Sequence, residues 1–177
     1  MTRPTAERFH AVFARVERLI EDKWGIPVRV RDVPDPITGD HDRAEIQVDY
    51  DLDAEDALFI VVHLFGHTVQ WNVDPDSRAI GVYPGPWDEA ALAKVCAYET
   101  NACRYSMQLF HDAGVVDLDQ WLSDFSACDY AYLEHFYRTG EKRAFRSFWS
   151  DGHATITALP IPAFTAQRWI TRNGIVI

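Results

Sequence analysis

The sequence predicts an α+β domain in which a small antiparallel or mixed sheet packs on several helices. Three observations carry that expectation. Two short runs, Val28-Arg29-Val30-Arg31-Asp32-Val33 and Ala44-Glu45-Ile46-Gln47-Val48-Asp49-Tyr50, alternate apolar and polar residues as half-buried strands do. Apolar residues before and after them recur at helical spacing. The 177 residues, 47% hydrophobic and 25% charged, are enough to bury one core and show no internal repeat, so a single domain is expected over 1–177.

Taken in order, Phe9, Val12, Phe13, Val16, Leu19 and Ile20 place a helix over residues 5–23, with Thr5 at its N-cap and Gly25 and Pro27 stopping it. The two alternating runs follow and are expected to pair, joined by a turn-rich segment, 34–42, that holds Pro34, Pro36 and Gly39. Asp53 is placed to cap the next helix, with Asp56 in its first turn beside the helix dipole. From Ala57 to Trp71 that helix is apolar almost all round, the mark of a helix in the middle of its domain. A loop over 72–87 leads to a long helix at 88–112. Residues 117–138 and 141–150 read as helical and aromatic, and the tail with Pro160 and Pro162 as irregular or extended.

Bulk properties exclude some functions. A formal charge of −10, with no basic run longer than Lys142-Arg143, argues against a nucleic-acid-binding face, because phosphate contacts need clustered Lys and Arg. No stretch approaches the roughly 18 apolar residues of a membrane span, and the N-terminus has no signal-like apolar segment. Cys96, Cys103 and Cys128 are odd in number and form no CxxC pair, which predicts a cytoplasmic protein with reduced thiols. Cys96 and Cys103 share a helical face and are read as packing residues.

The chemistry is concentrated in His63-Leu64-Phe65-Gly66-His67. Residues four apart share a helix face, so both imidazoles can reach one ion, and two imidazoles in an apolar helix cost desolvation unless each has a partner. The helix at 88–112 offers one. Its inward stripe, Leu92, Val95, Cys96, Glu99, Ala102, Cys103, Ser106, Leu109 and Phe110, puts Glu99 among apolar residues, where a carboxylate must be paired, hydrogen-bonded or metal-bound. Two histidines and one carboxylate are also the protein ligands of an open catalytic zinc site. The competing expectation is that Glu99 pairs with an arginine and both histidines are satisfied core residues.

The order of N-terminal helix, Gly-Ile-Pro-Val strand, Ile-Gln-Val strand, buried helix with His63-x-x-Gly66-His67, and helix with Tyr98-Glu99-Thr100-Asn101-Ala102 resembles the ImmA/IrrE-type zincin-like metallopeptidases. The resemblance covers about residues 5–110, leaving 111–177 as an aromatic helical extension and tail. It implies a zincin-like scaffold with His63, His67 and Glu99 as ligands of one divalent metal, zinc foremost; a two-histidine, one-carboxylate set also suits iron. The chain departs from the family at Leu64, where HExxH has the glutamate that activates metal-bound water. Leucine accepts no proton, and general-base help is worth about 10²–10⁴-fold in rate.

Three functions therefore stand open. The first is a metalloenzyme that does not hydrolyse peptides in the standard way and acts on a small apolar or aromatic substrate. The second is a metallopeptidase whose base is displaced to Glu134 or His153, with a peptide substrate. The third is an inactive binding or regulatory module with a structural metal in a closed four-ligand site. His10, His41 and His111 are expected to face solvent. The rings Tyr130, Tyr132, Phe136, Tyr137, Phe145, Phe148 and Trp149 are expected in the core, or lining a pocket for an apolar ligand.

Overall fold

The computed structural model describes residues 3–34, 37–168 and 173–175, the last three as backbone only. Residues 1–2, 35–36, 169–172 and 176–177 lie outside it, and with them part of the expected 34–42 turn and the end of the tail.

Helix α1, Ala6–Trp24, begins where Thr5 Oγ1 accepts a hydrogen bond from the Arg8 amide and ends at Gly25, whose φ of 64° only a residue without Cβ adopts freely. Phe9, Val12, Val16 and Ile20 are its buried stripe, close to the expected one. The sheet holds β1 Val28–Arg31, β2 Gly39–His41, β3 Ile46–Asp49 and β4 Asn173–Ile175 in the order β1-β3-β2-β4. The two alternating runs do pair, and they pair parallel, Val28 opposite Ile46, while β2 runs antiparallel to both β3 and β4.

The fold is α+β with a mixed sheet, as expected, but its strands are not uniformly half-buried. Central β3 buries Ile46, Gln47 and Val48 in succession, whereas β1, an edge strand, buries Val28 and leaves Val30 54% exposed. Position in the sheet overrides alternation. The segment expected to be only turn contains β2; Gly39-Asp40-His41 has little strand propensity and is held by partners on both sides.

Helix α2, Ala54–Val73, starts at Asp53, whose carboxylate accepts from the amides of Glu55 and Asp56. It carries no charged residue after Asp56 and is buried almost end to end, packed on α1, β2, β3 and α4. The expected 72–87 loop contains a short helix, α3, Pro75–Gly81, started by the Asp74-Pro75 pair of N-cap and first-position proline. Helix α4, Glu89–Asp112, is capped by Asp88, and α5, Asp119–Thr139, stops at Gly140 with φ 72°. The helix expected over 141–150 is a single 3₁₀ turn, Phe145–Phe148, with no side-chain cap to nucleate anything longer. Residues 151–168 run without regular structure, as expected, tied back by the Ile156 amide to Ser123 Oγ and the Leu159 amide to Arg104 O.

Candidate metal centre

The site begins with the distance between α2 and α4. Gly66 lies so close to α4 that a Cβ there would overlap Ala102 O. Ser106 Oγ, 2.8 Å from Val62 O, and Gln70 Nε2, donating to Tyr98 O at 2.8 Å, tie the same two helices on either side of that contact. This close approach brings Glu99 across to the histidines one turn apart on α2.

His63 Nε2 and His67 Nε2 lie 2.9 Å apart, and Glu99 Oε2 is 3.2 Å from each. Four-coordinate zinc with bonds of about 2.0–2.1 Å holds neighbouring ligand atoms about 3.3 Å apart. The two edges to Glu99 match that spacing, and the edge between the imidazoles, at 2.9 Å, is shorter than it. The group can hold a metal ion, and its residues are buried, at 2%, 2% and 8% exposure. Among the described residues the ion pairs of Glu99 run to the two imidazoles and not to an arginine.

Each ring is oriented from its far side. His67 Nδ1 meets Gln70 Oε1 at 2.9 Å, and His63 Nδ1 meets Cys103 Sγ at 3.7 Å, leaving both Nε2 atoms turned inward. Phe59 stacks on His63 and Tyr98 on His67, with Tyr98 fixed by the Trp71 indole N–H at 2.7 Å. These rings form a dry wall around the ligand atoms.

The electrostatics follow from burial and mutual contact. Burial alone would raise the Glu99 carboxyl, but the adjoining His67 and His63 rings hold it down at about 2. Burial lowers His67, while for His63 the contacts with Cys103 and Glu99 outweigh burial and leave it well above the usual range. Glu99 Oε2 has no aligned hydrogen-bond donor among the described residues despite its buried position. A buried carboxylate oxygen without a donor, beside two convergent imidazoles, is the polar state a cation would satisfy.

Sequence reasoning missed Asp129. It lies on α5, 2% exposed, with Oδ2 4.0 Å from His63 Nε2. Burial, reinforced by the nearby Glu99, pushes its carboxyl up to about 7 against the pull of His63. The signal was available: Phe125, Cys128, Asp129 and Tyr132 form one helical stripe with an acid among apolar residues, the argument that singled out Glu99.

Glu134 and His153 are not among the groups gathered at the cluster. Glu134 pairs with Arg138 at 2.9 Å near the surface, and the exposed His153 ring meets Ser150 Oγ at 2.7 Å. His10 and His111 are exposed as expected. His41 is not: it is 1% exposed, because β2 packs on α2 and sets the His41 ring, tilted, against Trp71 at 4.3 Å. Leu64 packs against the sheet, where a Cβ on Gly39 would come within 2.8 Å of its Cδ1. A cavity of about 780 Å³ lies elsewhere, among Glu55, Trp121, Arg146 and Trp149, and a smaller one beside Ile60 and Phe125; no residue of the cluster lines either.

The chain matches no family model, no curated protein and no solved structure.

Proposed function

We propose that this protein is a metal-dependent enzyme holding one divalent ion at His63, His67 and Glu99, on a zincin-like scaffold, and acting on a small molecule rather than cleaving peptides in the HExxH manner. The observation that carries the reading is the convergence of three buried ligand atoms within 3.2 Å of one another. An imidazole and carboxylate set suits zinc and also ferrous iron. Bound there, such an ion supplies Lewis acidity. The chain's own contribution is to fix the donors: Gln70 and Cys103 hold the two rings, and Phe59 and Tyr98 keep bulk water out.

Two features argue against standard peptide hydrolysis. Leu64 offers no proton acceptor where HExxH has its glutamate, and the cluster is too buried to admit an extended polypeptide. The aromatic walls favour a small apolar or aromatic substrate. A second reading, a structural metal in an inactive module, draws support from the burial of all three ligands and from their absence from the two cavities above.

Elemental analysis of the purified protein beside a His63→Ala variant tests the reading. One equivalent of zinc or iron is expected in the parent and less than a tenth of that in the variant. Equal metal content in the two ends the metal assignment. Metal-dependent cleavage of an unfolded protein substrate, abolished by His63→Ala, would establish the peptidase reading in its place.

A further inference from the structure

We infer that Asp129 is a fourth protein ligand of this metal centre, bringing a second carboxylate to the ion from α5. The inference rests on the metal assignment above and not on its enzymatic part, since a fourth protein ligand fills a four-coordinate ion and leaves substrate only an expanded coordination; it adds a residue that neither the His63-x-x-x-His67 spacing nor the Glu99 stripe contains.

The geometry comes first. Phe125, one turn before Asp129, stacks on Phe59 at a centroid distance of 4.0 Å, and Phe59 in turn stacks on His63. That run of rings sets the distance between α5 and α2, and the next turn of α5 delivers Asp129 to the inward edge of His63. Its Oδ2 lies 4.0 Å from His63 Nε2, against the roughly 3.3 Å between neighbouring ligands of a four-coordinate ion. A change in side-chain torsion, without movement of the helix, covers the difference.

The second observation is a matched deficit. Asp129 Oδ1 is buried with no hydrogen-bond partner among the described residues, and so is Glu99 Oε2. Both carboxylates reach one imidazole nitrogen, Glu99 through Oε2 at 3.2 Å and Asp129 through Oδ2 at 4.0 Å, and each keeps an oxygen without an aligned donor, a double cost in an apolar interior. One dication placed among them removes both costs together.

Charge gives the third argument. A dication held by two neutral imidazoles and Glu99 alone would leave a net +1 walled in by Phe59 and Tyr98. With Asp129 included, the two carboxylates balance the ion and the buried site is neutral. A set of two nitrogens and two carboxylates also shifts preference toward zinc, iron and manganese and away from ions that seek sulfur ligands.

The test compares the full-length parent with Asp129→Asn, Asp129→Ala and Glu99→Gln by chelator competition for zinc and by the visible absorption of the cobalt-substituted proteins, with far-UV circular dichroism reporting the fold. Groups that only orient a ligand change affinity by about 10–100-fold. A ligand should do more: Asp129→Ala is expected to weaken zinc binding by over about 100-fold, as is Glu99→Gln, and to shift the cobalt bands. Asp129→Asn, which keeps the shape, should show the same shift if the alanine variant does not fold. A smaller loss of affinity with unchanged cobalt bands overturns the inference while leaving the three-ligand site standing. Absence of zinc binding by the parent would overturn both, and that result is read before any Asp129 variant is needed.

Discussion

Leu64 occupies the position where the resemblance calls for a base, and its surroundings explain why a carboxylate does not sit there. Its side chain is fully buried against Ile60 and the backbone of β2 at Gly39. Leu64→Glu would place an ionisable group in that packing with no cation to meet it. The variant is expected to lose about 3 kcal/mol or more in urea denaturation and to gain no peptidase activity. At this scale the sequence was informative about His63, His67 and Glu99, because a polar residue inside an apolar stripe is conspicuous on a helical projection. It was silent on His41, whose burial depends on which elements cover β2, and that is decided by partners far along the chain. Asp129 is legible by the logic applied to Glu99, an acid set among Phe125, Cys128 and Tyr132 at three- and four-residue steps.

Among the elements, the pairing of α2 with α4 carries the site. The single hydrogen of Gly66 lets the helices approach until a methyl group would overlap Ala102 O. Gly66→Ala must therefore push them apart. A destabilisation of about 1–3 kcal/mol is expected from the overpacking, with zinc affinity reduced at least tenfold because Glu99 is carried away from both rings. Calorimetry and chelator competition on the one variant check both; an unchanged affinity would show that Glu99 is not set by this contact. Long periodic helices were readable in sequence nearly to their caps, since Thr5, Asp53 and Asp88 each accept amide hydrogen bonds where expected or one residue from it. Short elements were not. Strand β2 and helix α3 are three and seven residues long, too brief to show a period, and the proline and glycine around them read as turn.

For the molecule as a whole, the two buried acids give opposite pH dependences in the metal-free state. Glu99, held at about 2 against an ordinary 4.5, contributes stability that is complete above pH 4.5 and lost as pH falls toward 2. Asp129, raised from 3.8 to about 7, contributes stability that is complete below pH 3.8 and lost as pH rises through 7. His63, also raised, adds to the second trend, while His67, lowered by burial, gains stability as pH rises to 6.5 and offsets part of it. With two groups against one, the metal-free protein should become less stable between pH 5 and 8. Asp129→Asn should flatten that slope, as measured by denaturant midpoints across the range; an unchanged slope would mean that Asp129 ionises there without penalty.

The depth of the cluster has a kinetic corollary. Three donors shielded by α2, α4 and α5, with 8% exposure at the most accessible, give solvent no direct route to an ion among them. On the proposed metal reading, capture and release would require those helices to part, and the residence time of a bound ion would be set by the opening rate of the bundle and not by the strength of its coordination bonds.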